Sequence, residues 1–155
     1  MQLKPIGVIH SPYKERGQAP RQGRLSMNEI ILEVFPEFEP ALKEIDHYTH
    51  LIVLYWVDRA NREILQTLTP HNRSLPVGVF SSRSPNRPNP IAFCVASLIR
   101  KEANQLIVHW VDALDGSPLL DIKPYSPALD SVEHASSGHI PNSLEEIAKG
   151  QAFDE

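Results

Sequence analysis

The chain has 155 residues, of which 41% are hydrophobic and 22% charged. That composition excludes a disordered or collagenous chain, and the length suits one domain that buries about two-thirds of its unfolded surface. A net charge of -4, a single cysteine and no apolar run near ~18 residues exclude a strongly basic protein, an internal disulfide framework and a transmembrane helix.

No basic stretch followed by an apolar block opens the chain, so no signal peptide is expected and a cytoplasmic location is the default. Pro5 to His10 reads as a first strand, closed by Ser11-Pro12. Tyr13 to Ser26 is a polar loop. Met27 to Phe35 alternates, with Ile30, Leu32 and Val34 on one face and Glu29, Ile31 and Glu33 on the other, which predicts a half-buried strand. Phe38, Leu42 and Ile45 have helical spacing after Pro36, with Pro40 near the helix start. His50 to Val57 is a nearly continuous apolar run and predicts a central strand.

Asn61 to Leu68 predicts one or two helical turns ended by Pro70, and Val77 to Ser82 a short strand. Pro85, Pro88 and Pro90 forbid regular structure from Ser84 to Pro90. Ile91 to Arg100 and Gln105 to Val111 predict a hairpin turning over Lys101 to Asn104. Asp115-Gly116 marks a tight turn. In the tail, Ser143 to Lys149 predicts a helix, with Ser143 and Glu146 as a capping box and Gly150 at its end. Fourteen prolines against seven glycines fit short elements and stiff loops. The expected fold is mainly β: a small β-barrel or curved antiparallel sheet with short peripheral helices.

The charge is uneven. Ile64 to Lys101 holds no acid but carries Arg73, Arg83, Arg87, Arg100 and Lys101, whereas ten acids follow Lys101 against Lys123 and Lys149. A local basic face can attract an anion even on an acidic protein. There is no G-x-G-x-x-G and no phosphate-binding glycine loop, which argues against a Rossmann site or a P-loop. The seven histidines form no familiar ligand pattern, so no metal site is expected. Cys94 has no nucleophile signature and reads as a small core residue. The pairs Tyr55-Trp56 and His109-Trp110 read as core rather than as stacking platforms.

The densest segment runs from Gly78 to Ile91, where Arg83, Arg87, Asn86 and Asn89 sit among three prolines. A stiff loop loses less entropy on binding, and arginine suits carboxylate or phosphate. Ala19-Pro-Arg-Gln-Gly23 and Asp115-Gly-Ser-Pro-Leu-Leu-Asp-Ile-Lys-Pro-Tyr125 share this character. Read blandly, the first is a mobile loop and the second a turn leading into a strand.

With Gly7 to Tyr13 and His50-Leu51, these segments resemble the TsaA-like (TrmO, YaeB) family from about Lys4 to Pro127. The resemblance implies a β-barrel methyltransferase, neither Rossmann nor knotted, that uses S-adenosyl-L-methionine and works as a homodimer. It implies a tRNA partner, methylated at N6 of the threonylcarbamoyladenosine at position 37 in the anticodon loop. The cofactor residues it implies are Pro20, Arg21, Gln22, Asp58, Arg59, Arg83, Phe93, Asp115, Gly116, Ser117 and Pro118. Arg87, Asn89 and Lys123 are the expected phosphate or substrate contacts, and Asp121 and Tyr125 the candidate proton acceptors.

The expected organisation is a barrel domain over residues 1–130 and a tail with one helix over residues 131–155, without the further C-terminal domain of longer family members. Two alternatives stay open at this point: a methyltransferase of the same fold with another acceptor, and a non-catalytic binding module.

Overall fold

The structure, a computed structural model, describes residues 1–149. Among the described residues, eight strands follow one another: β1 (Gly7–His10), β2 (Ile30–Val34), β3 (His50–Trp56), β4 (Gln66–Thr69), β5 (Asn72–Gly78), β6 (Ile91–Glu102), β7 (Gln105–His109) and β8 (Ser117–Pro124). Two short helices come last, α1 (Pro127–Asp130) and α2 (Leu144–Lys149). The chain forms two compact units. The first holds Met1–Val57 and Ile91–Ser131; the second holds Asp58–Pro90 and the described residues from Val132 onward.

The first unit is a closed barrel of six antiparallel strands in the order β1-β2-β7-β6-β3-β8. Its interior is filled by every second side chain: Ile30, Leu32 and Val34 from β2, Leu51, Val53 and Tyr55 from β3, Leu106 and Val108 from β7. Ile9, Cys94, Ala96 and Leu119 complete the lining. A side chain of Leu or Ile size contributes about 1.5–3 kcal/mol when fully buried. Slipping one strand by one residue would turn its whole buried row outward, so this row fixes the register. A barrel of six strands is narrow enough for side chains to pack it solid.

The alternation in β2, the apolar run in β3 and the β6–β7 hairpin follow the sequence reading. Other expectations are corrected. The helix expected around Phe38 to Ile45 is two 3-10 segments, Pro36–Leu42 and Ile45–His47. Pro40 lacks the N–H an α-helix needs, and Glu44 between them has a left-handed backbone with φ 67°. Helical turns over Asn61 to Leu68 are likewise overturned: Gln66–Thr69 is a strand paired with β5. Alternating β-branched Thr67 and Thr69 favour that pairing over a helix. The strand expected over Val77 to Ser82 starts earlier and stops at Gly78, and Val79–Ser81 is a 3-10 turn.

The second unit contains the β4–β5 hairpin, the loop from Ser82 to Pro90 and α2. Ser143 Oγ accepts the N–H of Glu146 at 3.2 Å, which is half of the anticipated capping box. The expected role of Gly150 lies outside the described residues.

Candidate functional site

Two features of the barrel decide which motif residues meet. The first is the turn before β8. Ser117 N–H closes the turn onto Leu114 O at 3.1 Å, and Gly116 takes φ 82°, where a side chain would be strained. The turn is clamped to the rest of the barrel unit: Asp115 N–H donates to Tyr13 O at 2.7 Å and Gly116 N–H to Ile9 O at 2.8 Å. The N–H groups of Asp115, Gly116 and Ser117 are therefore all satisfied within the protein, and Pro118 has none. What this backbone can offer a ligand is acceptors, not donors.

The Asp115 carboxylate is also held. Its Oδ1 accepts the Ser11 N–H at 3.0 Å and its Oδ2 pairs with Lys14 Nζ at 2.6 Å. Lys14 first, and the Ser11 N–H second, keep its carboxyl below the usual range. An open cavity of about 520 Å³ lies here, lined by His10, Lys14, Asn28, Glu29 and Asp115 among others. Of the sequence-predicted residues it holds Asp115 alone.

The second feature is a bulge. Where β8 pairs with β3, the register shifts between Leu54 and Tyr55, so Tyr55 faces Leu119 while Leu54 faces Asp121. That one-residue slip reverses the phase of β8. Leu119 points into the barrel, but Asp121 and Lys123 share the outer face with their partners Leu54 and Ile52. Tyr125 comes next and donates its N–H to His50 O at 3.1 Å. On the other side of β3, Phe93 pairs with Leu54 and is 46% exposed. Phe93, Leu54 and Asp121 thus form one row across three strands, spanning about 10 Å at the usual strand spacing. Lys123 Nζ sits 2.8 Å from Asp121 Oδ2, and that pairing raises the lysine pKa.

Pro20, Arg21 and Gln22 are half-buried and precede the 3-10 turn Gly23–Leu25. Gly23 is buried, and a Cβ there would lie 2.0 Å from Trp110 O. Only glycine allows this close approach, which gives the Ala19 to Gly23 motif a physical anchor. The remaining candidates belong to the second unit. Asp58, Arg59, Arg83 and Asn89 are exposed there. Arg87 is half-buried, and its Nη2 donates to Val79 O at 2.6 Å and to Ser82 O at 3.3 Å. It braces its own loop, as do Asn86 Oδ1 accepting from Asn61 N–H and Arg62 Nε donating to Pro88 O.

Sequence reasoning missed two clusters. Tyr55 and Cys94 both donate to Asp112 Oδ1, at 2.7 and 3.1 Å. Burial above all, and then the Asp112 carboxylate, push the Tyr55 phenol far above its ordinary pKa, so it remains a donor. The other cluster surrounds Trp110, which leaves β7 with φ 73°, a conformation costing an aromatic residue about 1–3 kcal/mol. Its ring is not core, as expected from sequence, but half-buried and stacked on His50 at 5.4 Å. Neither cluster lies in a contiguous motif. Among the described residues, no group of three or more His, Cys, Asp or Glu side chains is placed to hold a metal, and no helix is long and apolar enough to cross a membrane.

A closed six-stranded antiparallel barrel with motif loops at its strand ends is the class of protein this structure defines. The sequence matches the tRNA-methyltransferase O N-terminal domain over residues 8–131, and the chain belongs to that family. Among its relatives is a probable S-adenosyl-L-methionine-binding protein of Archaeoglobus fulgidus, 54% identical over 89% of this chain and 37% of the relative. A second A. fulgidus protein, described as S-adenosyl-L-methionine-binding, is 49% identical over 85% of this chain and 94% of its own length. A crystal structure of TrmO superimposes with a TM-score of 0.77 at 35% identity, covering 91% of this chain and 64% of that one. The chain thus spans little more than a third of the first relative and under two-thirds of that solved structure.

Proposed function

We propose that this chain binds S-adenosyl-L-methionine and transfers its methyl group to tRNA, at N6 of the threonylcarbamoyladenosine at position 37. The observation that carries the reading is the row on the outer face of the barrel. Phe93, a cofactor candidate, is level with Asp121, a candidate proton acceptor, and beside Lys123, because the bulge that turns Ile122 against the core turns Asp121 and Lys123 outward. The family match and the named binding activity of the relatives support it.

The residues present suit the cofactor. Arg21 or Arg83 supplies a guanidinium group for its carboxylate, and the exposed Phe93 ring supplies an apolar surface. The Asp115–Pro118 turn, its donors already satisfied, presents acceptors that suit the amino group of adenine. Pro20 and Gln22 flank Arg21, and the resemblance assigns Asp58 and Arg59 to the same ligand. When bound, the cofactor supplies an electrophilic methyl on a sulfonium centre.

The chain must then hold the acceptor nitrogen in line and take up its proton. Alignment supplies much of such a rate enhancement. Asp121 or Tyr125 receives the proton, while Lys123, Arg87 and Asn89 contact phosphate or substrate. Residues 1–130 carry this function, and residues 131–155 form the tail.

A homodimer belongs to the same proposal. Leu65, Leu68, Leu75 and Phe80 of the second unit expose 54–82% of their surface, more than isolated apolar residues require. Sedimentation should give a dimer, and Phe80→Asp with Leu75→Lys should yield a monomer.

Labelled methyl transfer to tRNA with and without the threonylcarbamoyl group tests the reaction. Label on the modified tRNA alone supports it. A second reading, a binding module without catalysis, is favoured by the relative that matches over 94% of its length and is named only for binding. Cofactor binding with no transfer to any RNA would select that reading.

A further inference from the structure

The outer face of the barrel continues past the Phe93 row. Along β3 the outward residues are Trp56, Leu54, Ile52 and His50, and on β6 they are Ile91, Phe93, Val95 and Ser97. His50 pairs with Ser97, four residues along β6 from Phe93, or about 13 Å at strand rise. At that end stands a column of rings and a cation. Trp110 stacks on His50 with an interplanar angle of 27°, the Arg24 guanidinium carbon lies 4.2 Å from the Trp110 ring centroid, and Tyr125 meets His50 edge-on at 6.5 Å. Trp110 Nε1–H donates to Met27 Sδ at 3.4 Å, and His50 Nδ1 is 2.8 Å from Thr49 Oγ1.

We propose that Trp110, His50 and Arg24 form a nucleobase-stacking subsite for a single-stranded segment of RNA. It rests on the reading of the chain as a tRNA-binding protein and locates one part of that contact. Three observations carry it. Trp110 keeps a left-handed backbone that its side chain disfavours, and the barrel core gains nothing from the ring placed outside it. The backbone under the column is closely packed, because buried Gly23 lies against Trp110 O, and the next residue, Arg24, holds its guanidinium over the indole. It also carries a cation: the Arg24 guanidinium lies over the indole, while Lys123 and Asp121 pair with each other and Arg100 is shared by Glu29 and Glu102.

Aromatic rings and arginine planes stacked together hold unpaired bases regardless of sequence, while the guanidinium edge meets phosphate. The subsite lies on the face that carries Phe93, Asp121 and Lys123, so an RNA strand entering that row would pass over it.

Fluorescence reads this directly, because Trp56 and Trp110 are the two tryptophans of the chain. In Trp56→Phe the signal comes from Trp110 alone. Titration with a hairpin RNA whose loop carries unpaired adenosines should quench it saturably. Trp110→Leu, and independently the surface change Arg24→Gln, should weaken RNA binding by about tenfold in anisotropy. Affinity for S-adenosyl-L-methionine in calorimetry should stay within about twofold in both. The proposal is overturned if the hairpin binds without quenching Trp110, or if both variants bind it as tightly as the parent chain. Those outcomes leave the tRNA reading standing. If the parent chain itself binds no RNA, that reading fails and the subsite fails with it.

Discussion

Two proline-stiffened segments, the turn at Asp115–Pro118 and the loop from Ser82 to Pro90, look alike in sequence and are held in opposite ways. The turn is tied outward, to strands far away in the chain: its N–H groups and its carboxylate bond to Ile9, Ser11, Tyr13 and Lys14. The loop is tied to its own unit, with Arg87 closing on Val79 and Ser82 and Asn86 on Asn61. A segment braced against the barrel inherits the rigidity of the barrel. One braced on its own neighbours can be disturbed locally, without loss of the core.

The largest effect expected from this contrast comes at Gly23, whose backbone lies against Trp110 O. Gly23→Ala puts a Cβ into a backbone atom that cannot move cheaply, so we expect a loss of about 3 kcal/mol or more in urea unfolding. Asp112→Ala should cost about 1–3 kcal/mol, because it strands the buried Tyr55 hydroxyl. Cys94→Ser, which keeps a donor of similar size, should cost less in the same melts.

Next comes a direct contrast between the two segments. Gly116→Ala should lower the global unfolding free energy by about 1 kcal/mol, through the strained φ alone, since nothing lies within 4 Å of the new methyl. Arg87→Ala should leave the barrel melt nearly unchanged, yet speed amide exchange across residues 79–90. A matching drop in global stability for Arg87→Ala would show that the loop is braced as the turn is.

The smallest effect is electrostatic. The Asp115 carboxyl is held below its ordinary value of 3.8 by Lys14 and Ser11. A group whose pKa is depressed on folding stabilises the fold above its unfolded pKa, and that contribution fades as pH falls through the folded value. Acid titration should therefore show a slight excess loss of stability below about pH 4 that Asp115→Asn lacks. The pair is partly exposed, so salt should shrink the difference.

Local pattern carried the barrel. Ile30, Leu32 and Val34 announce a buried row in sequence, and the same row closes the core in space. It failed where long-range pairing decides. The Gln66–Thr69 strand exists because of its partner across a Pro70-His71 turn, which single-residue propensity does not register. The site was legible as motif residues, but not as an arrangement. That Asp121 and Lys123 face the same way as Phe93 depends on a bulge against Leu54 and Tyr55, visible only when β3 and β8 are paired. The Trp110 column depends on Gly23, His50 and Arg24 arriving from three separate segments.

The central claim is that this barrel binds S-adenosyl-L-methionine through its motif loops. Calorimetric titration of the chain with that cofactor tests it most directly. The account predicts saturable binding, weakened by about tenfold or more in Arg83→Ala, because a lost charge-assisted hydrogen bond is worth about 1.5–3 kcal/mol. Absence of binding by the parent chain, or affinity unchanged from the parent in both Arg83→Ala and Arg21→Ala, would contradict it.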